Sequence, residues 1–129
     1  RIKLATKLNA SFSELSMDAD AIRQVLINLL KNASEAVMRR DADRTIEIKT
    51  RDEADRVVIE VEDNGPGLPP EIRNRLFEAF TSNGKPSGVG LGLAICHEIV
   101  LAHCGRISAD LAREHGTEFR VSFQTSKLR

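Results

Sequence analysis

Apolar residues recur along this chain with two different periods, and the changes of period mark out its elements. Residues 2–8 alternate around Ile2, Leu4 and Leu8, which predicts a short strand. From Ile22 the spacing lengthens. Ile22, Val25, Leu26, Leu29, Leu30, Ala33 and Val37 fall three and four apart, one stripe of a helix. Asp18 or Asp20 can cap that helix, which is expected to run to about Arg39. The polar run 41–44 predicts a turn. Two strands are expected next, Thr45–Thr50 and Arg56–Asp63, joined by a charged hairpin-like connection. Pro69 and Pro70 stand where a first helical turn tolerates proline, so a second helix is expected through Glu71–Phe77. Residues 81–90 have loop composition and no period. A third helix is expected from about Leu91 to His103, ended by Gly105. Strands are expected at 106–111 and 117–124, the second burying Phe119, Val121 and Phe123 on one face. Strands and helices are mixed without regular alternation. That predicts an α+β two-layer sandwich, with helices on one face of a mixed sheet.

One strand breaks its own pattern. Val57, Ile59, Val61 and Asp63 share a face, and Val58, Glu60 and Glu62 share the other. The first face is apolar until its last member, a carboxylate. An unpaired buried carboxylate is costly, so Asp63 is expected to meet a donor: backbone, a distant side chain or a ligand. Gly65 and Gly67 follow, permitting a turn with positive φ or a close approach to the backbone.

Composition narrows the classes. The chain has 129 residues, the size of one domain. Nineteen basic and nineteen acidic residues cancel, which removes any global electrostatic case for nucleic acid or an anionic membrane. The absence of Trp and Tyr weakens base stacking as a mode of binding. Cys96 and Cys104 lie eight apart in an expected helix, about 12 Å by rise, too far to bridge. That favours a reducing compartment and a cytoplasmic location. No apolar run approaches a membrane span, and no signal peptide is visible. The opening at Arg1 reads as a domain taken from a longer protein.

Four stretches could carry chemistry. Asn28 and Asn32 are i and i+4 on the first long helix, with Gln24, Lys31 and Glu35 on the same side. The bland reading is a solvated face; the functional one is an amide oxygen ligating a hard cation such as Mg²⁺. Gly88-Val89-Gly90-Leu91-Gly92-Leu93 opens the third helix with backbone N–H groups that suit phosphate. It fails the dinucleotide fingerprint, since no strand precedes it and Leu93 stands where the third glycine should be, and it fails the P-loop, since Gly84-Lys85 is followed by Pro86. Phe77 and Phe80 read as core packing or as the anchor of a mobile lid. Gly116-Thr117-Glu118-Phe119 reads as a turn into the last strand. His97, His103 and His115 form no nucleophile system, and their spacing with the cysteines matches no familiar zinc pattern.

Taken in order, these stretches resemble the ATP-binding catalytic domain of bacterial sensor histidine kinases, within the wider gyrase, chaperone and mismatch-repair ATPase group. The resemblance rests on QVLINLLKNASEA (Gln24–Ala36), DNGPGLP (Asp63–Pro69), LFEAF (Leu76–Phe80), GVGLGLAI (Gly88–Ile95) and GTEF (Gly116–Phe119). It covers essentially the whole chain. It implies a Bergerat-type fold, a mainly antiparallel sheet with three main helices on one face, and ATP with Mg²⁺ as ligands. Asp63 would accept from the exocyclic amine of adenine, supported by Thr117, with Gly65 and Gly67 allowing close approach. Asn32 would coordinate Mg²⁺. Asn28 and Asn32 are the candidate catalytic pair, and both would contact the nucleotide. Residues 81–93 would form a lid, with the Gly88–Gly92 N–H groups and Leu93 near the phosphates and with Phe77 and Phe80 at its hinge.

The resemblance also discriminates. Hydrolysing members of the group carry Glu where this chain has Asn28, and an amide cannot act as a general base. Phosphoryl transfer to a protein is thus expected over hydrolysis or an anti-sigma-type serine kinase. A nucleotide-sensing module without transfer is the other alternative. Glu35 stands where many sensor kinases have a phosphate-reaching Lys, so Lys31 or Lys85 could take that role. No histidine here has the phosphoacceptor context. The acceptor histidine is expected on a separate dimerisation domain of the same parent, itself a homodimer, with a response-regulator receiver as indirect partner. The fragment alone is expected to be a monomer, without nucleic-acid or membrane contact.

Overall fold

The computed structural model describes residues 2–9, 18–67, 89–110 and 116–124. Five strands and two helices lie in that range: β1 (Ile2–Leu8), α1 (Ala19–Val37), β2 (Arg44–Glu53), β3 (Arg56–Asp63), α2 (Val89–Ala102), β4 (Arg106–Asp110) and β5 (Thr117–Gln124). The helix expected at Glu71–Phe77 lies outside the described residues. The sheet runs β1-β2-β3-β5-β4. Only β1 and β2 are parallel; the other three pairings are antiparallel. This is the mixed, mainly antiparallel sheet of an α+β sandwich.

Asp18 is the N-cap of α1, its side chain accepting from the Asp20 N–H at 3.1 Å. The helix ends at Val37 rather than near Arg39, because Arg39 and Arg40 already turn back onto Ala36 and Val37 through their backbone N–H groups. β2 is longer than its apolar residues indicate. Polar residues 51–53 still pair with β3, since a ladder is built by backbone and needs no apolar side chain.

α2 ends before Gly105, as expected, and the left-handed residue of its cap is Cys104, with φ 58°. The Gly105 N–H reaches back to the Val100 carbonyl at 2.8 Å, closing a Schellman-type cap. Gly105 is needed for a different reason. A Cβ there would stand 2.7 Å from both Phe123 Cδ1 and the Ser122 carbonyl oxygen.

Register places Ile46, Asp63 and Thr117 side by side on one face, followed by Ile48, Val61, Phe119 and Ala109, then Thr50, Ile59, Val121 and Ile107. α1 and α2 pack on this face. Val25, Leu29, Ala33 and Val37 of α1 join Leu93, Cys96 and Val100 of α2 and Ile59, Val61, Phe119, Val121 and Phe123 of the sheet in one core. The opposite face carries charge. Glu47, Lys49, Glu62, Arg51, Glu60, Arg120 and Glu118 form a cross-strand lattice of ion pairs.

Candidate functional site

The site is built where the two central strands end against α1. Asp63 closes β3 and Thr117 opens β5, and they are direct register partners. Both lie on the helix-covered face, and each is only 3% exposed. The donor that Asp63 requires is local: the Gly65 N–H donates to Asp63 Oδ1 at 2.8 Å, an Asx-type turn that carries the chain out of the strand. The expected glycine roles divide accordingly. Gly67 takes φ 86° and lies beside Gly116, which takes φ 84°. Gly65 has no positive φ; it is needed for closeness. A Cβ on Gly65 would meet the Ala36 carbonyl oxygen at 2.8 Å and the Ala36 Cβ at 2.9 Å.

That contact orders the rest of the site. Ala36, Asn32 and Asn28 are spaced by four on α1, so they stack along one side of the helix. By helical rise Asn32 is about 6 Å and Asn28 about 12 Å from Ala36 along the axis. The path runs from the carboxylate, over the glycine turn, onto α1 and past both asparagines. Asn28 and Asn32 are half-buried at the edge of the core stripe, whereas Lys31 and Gln24 are exposed. Gln24 Nε2 donates to Asn28 Oδ1 at 3.1 Å. Asn28 Nδ2 is buried and has no hydrogen-bond partner among the described residues.

α2 begins at Val89, two residues before the expected start, so Val89, Gly90, Leu91 and Gly92 form its first turn. The N–H groups of a first turn have no partner within the helix, and they carry the positive end of its dipole. Leu93 is a core residue, 1% exposed. Only its backbone remains a candidate for ligand contact. Phe77, Phe80, Lys85 and Gly88 lie outside the described residues.

Asn64 was not singled out by its position in the motif. Its Oδ1 accepts from the Thr45 N–H at 2.9 Å, and its Nδ2 donates to the Asp43 carbonyl. It therefore ties the start of β2, where Asp43 takes φ 57°, to the end of β3. The available signal is an Asx residue at the junction of a strand and a glycine turn. Cys96 was also missed, since only the packing of α2 on α1 brings its thiol to the Val25 carbonyl, 3.6 Å away. Burial pushes the Cys96 thiol up to about 11, partly offset by the Asn28 amide beside it. Among the described residues no three of His, Cys, Asp or Glu gather as a metal cluster.

The chain belongs to the family described as histidine kinase-, DNA gyrase B- and HSP90-like ATPases, whose model matches residues 17–127. Its relatives include the alginate biosynthesis sensor protein KinB of Pseudomonas aeruginosa, 38% identical over 92% of this chain and 20% of that protein. The sensory histidine kinase/phosphatase NtrB of Rhodobacter capsulatus is 40% identical over 81% of this chain and 32% of its own length. The catalytic domain of histidine kinase ThkA superposes with a TM-score of 0.81 at 31% identity, covering 99% of this chain and 82% of that one. Full-length ShkA in complex with AMPPNP gives a TM-score of 0.76 at 29% identity, over 96% of this chain and 26% of that one. The chain thus spans a third or less of the length of KinB and of this NtrB. No helix among the described residues is long and apolar enough to cross a membrane.

Proposed function

We propose that this chain is the nucleotide-binding catalytic domain of a two-component sensor histidine kinase, binding Mg²⁺-ATP and passing the γ-phosphate to a histidine on a separate domain of its parent. The observation that carries the reading is Asp63: a carboxylate 3% exposed, beside Thr117, at the mouth of a glycine turn. A carboxylate in that position selects a ligand that donates, and the exocyclic amine of adenine does so. The Gly65–Asp63 bond holds the carboxylate in place before the ligand arrives.

The remaining residues fit a triphosphate with its cation. The amide oxygen of Asn32 is a hard, neutral donor of the kind that Mg²⁺ accepts when phosphates complete its shell, with Asn28 one turn away as a contact to the nucleotide. When bound, the cation neutralises charge on the phosphates. The first turn of α2 offers backbone N–H groups and a positive dipole end to the same anion. Catalysis by these residues is positioning and electrostatic stabilisation, as phosphoryl transfer requires. Asn28 argues against hydrolysis, because an amide takes no proton from water at neutral pH.

Support from relatives is of one kind. KinB and NtrB are sensor proteins, ShkA was solved with AMPPNP, and ThkA was solved with the response regulator TrrA. A parent with a dimerising acceptor domain and a receiver partner follows for this chain by analogy. The test mixes the domain with γ-labelled ATP, Mg²⁺ and the acceptor domain of its parent. Acid-labile, base-stable label on the acceptor is expected. Binding without transfer would leave a nucleotide sensor, and no binding at millimolar ATP would remove the reading altogether.

A further inference from the structure

β3 ends at Asp63, and the residue that follows decides how. Ile46 pairs with Asp63, so Asn64 stands opposite Thr45. The Asn64 backbone N–H donates to the Thr45 carbonyl at 3.2 Å, as in a further bonded pair of an antiparallel ladder. The return bond of such a pair runs from the Thr45 N–H to the main-chain carbonyl opposite. Here the Thr45 N–H meets Asn64 Oδ1, at 2.9 Å. The side chain stands in for its own main-chain carbonyl. The other end of the amide, Nδ2, donates to the Asp43 carbonyl, and Asp43 holds φ 57° just ahead of β2. Both ends of the amide are engaged, which fixes its orientation.

This exchange lets the main chain leave the ladder one residue after Asp63. The Gly65 N–H then turns back to donate to Asp63 Oδ1 at 2.8 Å, a bond that needs a turn and that an extended strand does not make. The same backbone is hemmed in on its other flank. A Cβ on Gly116 would collide with the Asp63 carbonyl oxygen and stand 3.2 Å from Asn64 Cα. We propose that Asn64 is a positioning residue for Asp63: its side-chain amide ends β3 by holding Thr45 and Asp43, and so places the Gly65 N–H that aims the carboxylate at the base. A ladder continued through Asn64 would carry Gly65 onward along the strand and release Oδ1. The inference rests on the nucleotide reading given above. It adds to that reading a determinant of base selectivity that acts through Asp63.

The test uses this chain, Asn64→Ala and Asn64→Asp, with affinities for ATP and ITP and a denaturation midpoint measured for each. Alanine removes both ends of the amide and returns the Thr45 N–H to the main chain. Aspartate keeps an acceptor for Thr45 but sets a carboxylate oxygen against the Asp43 carbonyl. Both variants should lose stability. The ratio of ATP to ITP affinity is expected to fall about tenfold in Asn64→Ala, the worth of one hydrogen bond, and to stay within about threefold of wild type in Asn64→Asp. Any repulsion of the triphosphate by the new carboxylate cancels in the ratio. A merely structural role predicts lower midpoints with the wild-type ratio kept. An unchanged ratio in Asn64→Ala would overturn the proposal, as would equal falls in both variants. Should Asn64→Ala not fold, Asn64→Gln replaces it. Its amide is displaced by one methylene, and the same tenfold fall is expected.

A second measurement needs no nucleotide. Hydrogen exchange at the Gly65 amide should be about tenfold faster in Asn64→Ala than in wild type and within about threefold of wild type in Asn64→Asp. Unchanged Gly65 exchange in Asn64→Ala would overturn the inference and leave the nucleotide reading standing. A wild-type chain that binds ATP and ITP equally removes both readings at once.

Discussion

β3 buries two carboxylates, and they are buried in opposite ways. Glu60 is 4% exposed on the sheet face away from the helices. Two guanidiniums meet it, Arg51 at 2.9 Å on one oxygen and Arg120 at 2.7 Å on the other. Asp63 is 3% exposed on the helix-covered face, and a backbone N–H from the next turn holds its Oδ1. Glu60 is neutralised by flexible side chains that still touch water, the two arginines being 36% and 49% exposed. Asp63 is fixed by the backbone at the end of a strand, beside two glycines in left-handed conformations. Burial alone does not mark a binding residue. What separates the two is the kind of partner each is seen to meet: mobile side-chain charges for Glu60, a backbone N–H at a glycine turn for Asp63.

Substitutions at the two carboxylates should therefore separate binding from stability. The largest expected effect is Asp63→Ala, which should weaken ATP binding by about a hundredfold or more through loss of a charge-assisted acceptor. Calorimetry or fluorescence titration reads it, and an unfolding curve checks that the domain still folds. Next is Gly116→Ala. Its Cβ would collide with the Asp63 carbonyl oxygen, and its φ of 84° disfavours any side chain. A loss of about 2 kcal/mol or more in chemical denaturation is expected, with ATP affinity falling in parallel.

Glu60→Gln should show the opposite profile. It leaves two guanidiniums without their buried counter-charge, and a loss of about 1–2 kcal/mol is expected, reduced from the fully buried case because both arginines reach solvent. ATP affinity should stay within twofold. If Glu60→Gln lowers affinity as much as stability, the division between the two carboxylates fails.

The smallest effect lies at Glu118, on the Glu60 face. Burial raises its pKa above the ordinary glutamate value, and Glu60 and Glu62 add to this while Arg120 opposes it. The folded state then binds more protons than the unfolded state between the ordinary and the raised value, so stability falls as pH rises through that window. Glu118→Gln removes the penalty. It should stabilise the domain by a few tenths of a kcal/mol at neutral pH, as surface changes do, and by nothing below the ordinary glutamate range. Denaturation midpoints at neutral and acidic pH measure the difference.

The helix-covered face was the more legible half. The stripe from Ile22 to Val37 and the alternation Val57, Ile59, Val61 are periodic, and a carboxylate ending an apolar face is visible without a structure. The outer face was not legible. Alternation sends Val58 and Glu60 toward solvent, and nothing in β3 itself shows that arginines from β2 and β5 will cover Glu60. The demand on Gly105 was hidden for a related reason. Glycine after a helix most often supplies the left-handed turn, but here Phe123, distant in sequence, demands the missing Cβ and Cys104 adopts the turn instead. The bond from the Cys96 thiol to the Val25 carbonyl is likewise tertiary, set by how α2 lies on α1. Asn64 was local enough to be read, and its bonds to Asp43 and Thr45 show that one residue of the glycine motif holds strands together.

The central claim is that Asp63 reads the amine of adenine. The ratio of ATP to ITP affinity tests it most directly, because inosine replaces the donating amine by an accepting oxygen and leaves the triphosphate untouched. The wild-type chain should favour ATP by about a hundredfold, the cost of setting an acceptor against a buried carboxylate. Equal affinity for ATP and ITP would contradict the account.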